Sequence, residues 1–215
     1  MVAPTSTADI CNLALDYLLQ TNEEVVTNID TPNTQTEVIC QRWYDQTRRE
    51  VLRKGIWNFA LRRKVLTADA TAPAFGFTRA FNLPVDFIRI ATIENPDNTE
   101  PFPIVNYEIE NNQILLNADA DASLNLRYVA NVEAVTSFDS LFVQALAVRL
   151  AYNIAYKFTS SNTNVQRLDG VFREALAGAR AVDGIERPPR RIERSNALTR
   201  RRLLGSNQRS GITFE

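Results

Sequence analysis

The chain changes its hydrophobic period twice, and this constrains its fold more than any other feature. Apolar residues recur at helical spacing up to residue 56, alternate every second residue over 57–136, and return to helical spacing over 137–184. Neither helical half is large enough to bury its own faces. At 215 residues there is material for one good core. The economical solution is an α+β fold. One antiparallel helical bundle is built from 1–56 and 137–184, an antiparallel β-rich subdomain occupies 57–136, and an extended C-terminal tail occupies 185–215.

The first helix opens on Ser6-Thr7-Ala8-Asp9, a hydroxyl three residues before an acid, which resembles a capping box. Ile10, Leu13, Ala14, Tyr17 and Leu18 then form one apolar face. The second helix is expected from Asn33 to Lys54, with Thr31 as N-cap, Pro32 in the first turn and Gly55 as C-cap. Its buried stripe is Cys40, Trp43, Thr47 and Val51, and Arg42, Asp45, Arg48, Arg49 and Arg53 form the other face, solvated or at an interface.

In WNFALRRKVL, Trp57, Phe59, Leu61, Arg63 and Val65 alternate as in a half-buried strand. Two more strands flank Pro84, which cannot donate to a ladder and belongs at a strand start or an edge. YEIENNQILLN reads as a hairpin turning at Asn111-Asn112, because asparagine tolerates the positive φ of a tight turn. LNLRYVANV is the last strand, ending at Val132.

After Ser137 a helix is apolar over most of its circumference, which marks it as central and buried. The final helix carries Val165, Leu168, Phe172, Ala175, Ala179 and Val182 at near-heptad spacing and closes at Asp183-Gly184.

Composition narrows the chemistry. There is no histidine, so Ser-His-Asp and Cys-His arrangements and imidazole zinc sites are excluded. Cys11 and Cys40 read as reduced core thiols. No apolar run is long enough for a membrane span, and the N-terminus lacks a secretory n-region, so a cytosolic origin is the expectation. The segment from Asn117 to Ser123 spaces oxygen ligands like the start of a calcium loop. Leu124 stands where that loop needs glycine, so a turn between strands is the better reading. Glu108 and Glu110 share a strand face, but nothing in the sequence builds a cleft around them, so a glycoside hydrolase is unsupported. Trp43, Tyr44, Trp57 and Phe59 beside Arg48, Arg49 and Arg53 suggest base stacking, but a core anchor for the strand block explains them better.

The last thirty residues hold eight arginines and three glutamates, a charge of +5, whereas the chain as a whole is −1. Arg187-Pro188-Pro189-Arg190 cannot continue a helix. The null alternative is a solvated terminus. NALTRRRLLG instead looks like a short amphipathic segment able to order on a protein surface.

Lys54-Gly55-Ile56-Trp57-Asn58-Phe59, then Leu83-Pro84-Val85-Asp86-Phe87-Ile88-Arg89, then FVQALAVRLAYNIAYKFTSS, in that order, resemble the head-to-tail adaptors of short-tailed bacteriophages, the tail tubular protein A family. The resemblance spans most of 8–184. It implies a structural virion protein at the head-tail junction, assembled in the host cytoplasm, with no catalysed reaction and no cofactor. Such proteins form a ring, typically of twelve copies, between the portal protein and a nozzle of the tubular protein B type. DNA passes through the lumen without specific binding. The C-terminal segment of such proteins reaches the portal. On this chain that gives Arg190, Arg191, Arg194, Arg200, Arg201 and Arg202 as portal contacts, with Leu198, Leu203, Leu204 and Phe214 as apolar anchors. The alternatives are a DNA-binding protein using the basic arm, a virion-associated hydrolase, and a head-completion protein of a long-tailed phage.

Overall fold

The computed structural model describes residues 4–18, 25–94, 106–119, 122–159 and 162–186. Helices α1 (Thr7–Leu18) and α2 (Gln35–Lys54) come first. Six strands follow: β1 (Leu61–Thr67), β2 (Arg79–Asn82), β3 (Phe87–Glu94), β4 (Glu108–Glu110), β5 (Gln113–Leu116) and β6 (Ser123–Ala130). Helices α3 (Ser140–Phe158) and α4 (Asn162–Ile185) complete a mixed α+β fold.

The start of α1 is fixed by the expected reciprocal cap. Asp9 Oδ2 accepts from the backbone N–H of Thr5 and Ser6, and Ser6 Oγ accepts from Asp9 N–H. The start of α2 differs from expectation. Its N-cap is Thr34, three residues beyond Thr31, and Pro32 stays outside the helix. The reason is Glu37, whose carboxylate accepts from the Thr34 backbone N–H while Thr34 Oγ1 accepts from Glu37 N–H. The Glu37 carboxylate is buried and also accepts from the backbones of Thr27, Asn28 and Asn33. Those donors, Asn33 and Thr27 foremost, hold its pKa down to about 2.

Helix α3 is the hub. It packs against α1, α2 and α4, and Ala145, Ala147, Ala151 and Ala155 let those neighbours come close. Two polar ties fix α2 on it: Asn153 Nδ2 donates to Thr47 Oγ1 at 2.9 Å, and Arg149 pairs with Glu50 at 2.7 Å. The Arg149 guanidinium also lies over the rings of Tyr152 and Phe172, so one side chain links α2, α3 and α4. In α4 only part of the expected stripe is inside. Leu168, Phe172 and Ala179 are buried, while Val182 is exposed and the helix runs past Asp183-Gly184 to Ile185.

The strands form two three-stranded antiparallel sheets, ordered β1-β6-β3 and β2-β5-β4. The β4–β5 hairpin turns on Asn111 and Asn112, both at positive φ (42° and 60°), as their sequence requires. Leu124, Leu126 and Tyr128 face inward along β6. Buried residues of helices and strands join in one continuous apolar cluster.

The segment after α2 corrects the expected alternation. Residues Asn58–Ala60 form a 3-10 turn, and β1 begins only at Leu61. The turn sends Trp57 and Phe59 to α3, where both rings meet Phe142 edge-on at 5.0 and 4.9 Å. Pairing with β6 then sets the register: Leu66 lies opposite Leu124 on the inner face, and Val65 lies opposite Asn125 and is 61% exposed.

Candidate functional site

Helix α2 ends where the strand block begins, and its last carbonyls have no partner within the helix. Two side chains supply donors. Trp57 Nε1 donates to Val51 O at 3.0 Å, and Arg89 of β3 donates to Arg53 O at 3.0 Å. Arg53 in return donates to Ile88 O, a residue bulged out of the β3–β6 ladder. Gly55 sits inside this junction with φ −130°, an extended backbone that any residue adopts. Its glycine is needed for space, because a Cβ there would lie 2.5 Å from Trp57 Cε2. The aromatic reading as a core anchor holds for Trp57, which is buried. Its ring partners are Phe59 and Phe142, and Phe59 and Phe142 both meet Phe138.

Arg48 corrects another expectation. It was expected on the face opposite the buried stripe, yet it is 1% exposed, because the chain leaving β6 crosses it. Nη1 donates to Asn131 Oδ1 and to the Val132 carbonyl, and Nη2 meets Asp45 at 3.0 Å and Glu133 at 3.5 Å. Its Nε–H is buried without an acceptor among the described residues, a cost that the four other contacts offset. Asp86, in the Leu83–Arg89 motif, is a second knot. Its carboxylate takes Arg62 at 2.6 Å and Tyr128 Oη at 3.0 Å, and its carbonyl takes Asn131 N–H. Burial, helped by Asp86, raises the Tyr128 hydroxyl to about 12.

The arginine arm starts from this junction. Asn58 N–H donates to Asp183 Oδ1 at 2.7 Å, and Asn58 Nδ2 donates to Asp183 O at 3.0 Å and Glu186 Oε2 at 3.2 Å. The C-terminal end of α4 is thus bound to the turn between α2 and β1. Sequence reasoning missed this tie, because Asp183 read as a helix stop and Asn58 as a strand residue. The arm residues Arg190, Arg191, Arg194, Leu198, Arg200, Arg201, Arg202, Leu203, Leu204 and Phe214 lie outside the described residues.

The other sequence candidates resolve as follows. Asn117 Oδ1 accepts from Thr78 N–H and Asp119 O accepts from Ala122 N–H and Arg79, which places Asn117, Asp119 and Ala122 in the connection between β5 and β6; residues 120 and 121 of the calcium-like run lie outside the described residues. Glu108 and Glu110 do line a cleft, against expectation. It is a polar space of about 820 Å³ between their hairpin and the loop from Asp69 to Phe77. Asp69 in its wall is committed to Thr71 N–H and Asn82 Nδ2. Among the described residues no three His, Cys, Asp or Glu side chains converge as metal ligands, and no helix is long and apolar enough to cross a membrane. Cys11 and Cys40 are buried thiols outside any disulfide, and their mutual hydrogen bond and burial push Cys11 far above its ordinary pKa.

The outer face of the β1-β6-β3 sheet is basic. There Arg63 lies opposite Arg127, with Glu94 at the rim, while Arg62 and Lys64 alternate to the face of Leu66 and Arg62 pairs with Asp86. Compared with known proteins, the chain matches no family model and, to a significant degree, no curated protein.

Proposed function

We propose that this chain is a head-to-tail adaptor of a short-tailed bacteriophage. Copies of it form a ring, typically of twelve, between the portal and the tail nozzle. The supporting observation is the root of the arm: Asn58 holds Asp183 and Glu186 at the point where α2 passes into β1. An arginine-rich segment launched from a fixed point suits a docking arm better than a free terminus does. The resemblance in element order supports the same reading. The role is structural, with no catalysed reaction and no cofactor. In it the arm arginines reach acidic or carbonyl acceptors on the portal, and the leucines and Phe214 seat in its grooves. Residues before the arm sum to −6, and an acidic lumen lets DNA slide without phosphate contacts.

Light scattering on the protein, alone and with isolated portal rings, tests this. The expected result is addition of a ring of copies to each portal. A chain ending at Glu186 keeps α4 and its tie to Asn58 intact, and it is expected to stay folded and lose portal binding. Undiminished docking by that chain overturns the role of the arm.

The pairing of Arg63 with Arg127 on the outer sheet face favours one second reading, a DNA-binding protein. That reading requires binding to free duplex, weakening by about 0.9 log units per log salt for each phosphate neutralised.

A further inference from the structure

Between α1 and the start of α3 runs an open apolar groove of about 610 Å³. Leu13 and Tyr17 form one wall, and Phe138, Leu141, Val143 and Ala147 form the other. Leu13, Tyr17, Phe138 and Leu141 are only half-buried. Such a groove is large enough for several apolar side chains. Three carboxylates neighbour its lining residues: Asp9 accepts from Thr5, Asp16 precedes Tyr17, and Asp139 stands between Phe138 and Ser140. Arg167 donates to Tyr17 O.

We propose that this groove seats the chain's own C-terminal segment, residues 196–204. The sequence there is NALTRRRLL, apolar at both ends with three consecutive arginines between. Leu198, Leu203 and Leu204 enter the groove, and Arg200, Arg201 and Arg202 meet the neighbouring carboxylates. The geometry of the arm's root favours this occupant. Glu186 touches Asn58, Phe59 is the next residue, and the Phe59 ring lies 5.6 Å from Phe138 in the groove wall. The arm therefore begins on the order of 15 Å from the groove. Twelve residues, 187–198, reach about 40 Å when extended and about 19 Å as a flexible coil. Such a tether gives an effective concentration in the millimolar range, far above that of a second copy at micromolar protein. A contact too weak to bind between molecules is then populated within one. This inference concerns the isolated chain and does not rest on the adaptor reading. Joined to that reading, it keeps the arm's leucines covered until a portal competes for them.

Hydrogen exchange of the full-length chain tests the proposal, at about 1 µM and about 50 µM protein, because only a contact between copies strengthens with concentration. Backbone amides of 196–204 are expected to exchange about tenfold more slowly than in an unstructured chain, equally at both concentrations. Two variants remove the contact from opposite sides. Gln144→Arg puts a cation on an exposed position of the groove lining, and the double change Leu203→Ser with Leu204→Ser removes the anchors. Each is expected to restore free exchange in 196–204 while the amides of α3 stay protected, which shows that the fold is intact. Three results overturn the proposal. These are free exchange at both concentrations, slowing that appears only in the concentrated sample, and slowing that survives both variants. The second assigns the groove to another copy.

Discussion

Replacing Gly55 by alanine tests the packing of the helix-to-strand junction, because only one ring stands in the way. The new Cβ would fall 2.5 Å from Trp57 Cε2, 2.7 Å from Cζ2 and 2.8 Å from Nε1. All three atoms belong to the indole, which Trp57→Ala removes. Backbone strain plays no part, since φ is −130°. The ring must give way, yet its Nε1 is bonded to the Val51 carbonyl and its edge is packed on Phe142. Overpacking of this kind costs about 1–3 kcal/mol. Trp57→Ala alone is expected to cost about 3–5 kcal/mol through the lost indole volume and hydrogen bond. In the Trp57→Ala background the obstructing atoms are gone, so Gly55→Ala is expected to cost less than about 0.5 kcal/mol. Urea unfolding followed by far-UV circular dichroism on the four proteins measures the coupling, expected at about 1–3 kcal/mol. Equal costs of Gly55→Ala in both backgrounds would refute the steric reasoning and put the glycine's role in the unfolded chain instead.

Glu37 has its folded pKa lowered to about 2 from an ordinary 4.5, so its stabilisation is complete above about 4.5 and is lost as pH falls toward 2. Glu37→Gln turns an amide N–H toward backbone donors; it is expected to weaken the protein at pH 7 and to flatten the loss of stability between pH 5 and 3, read from urea midpoints, and an unchanged slope contradicts this. Arg48→Ala leaves the Val132 carbonyl without this donor and opens a cavity, with an expected cost of about 3 kcal/mol or more, whereas Arg48→Met fills the space and is expected to cost clearly less in the same assay.

What the sequence revealed depended on whether a local rule or a distant partner decided the outcome. The Ser6–Asp9 cap, the Asn111-Asn112 turn and the buried circumference of α3 follow from neighbours in sequence, and each appears in the structure as read. Arg48 does not. On a helical wheel it belongs with Arg49 and Arg42, and only the return of the chain at Asn131–Glu133, more than 80 residues on, buries it. Val65 and Leu66 show the same limit. Either alternation is possible for β1, and Leu124 of β6 selects between them. Thr34 is the cap rather than Thr31 because Glu37 stands three residues beyond it, a signal present in the sequence that the reading from Pro32 missed. The root of the arm was legible only as composition, since nothing local joins Asn58 to Asp183 across 125 residues.

That tie also sets how the molecule responds to mechanical load. A pull on residues after Glu186 does not act on α4 alone. Asn58 splits the tension, sending part of it along α4 and part into the turn below α2. Beyond that turn, Trp57 and Arg89 fasten the end of α2, so the load meets the α2 end and the sheet together. Peeling α4 away one turn at a time therefore requires breaking the Asn58 contacts first, and they resist as a group rather than in succession. A chain built this way holds the anchorage of its C-terminal segment stiff.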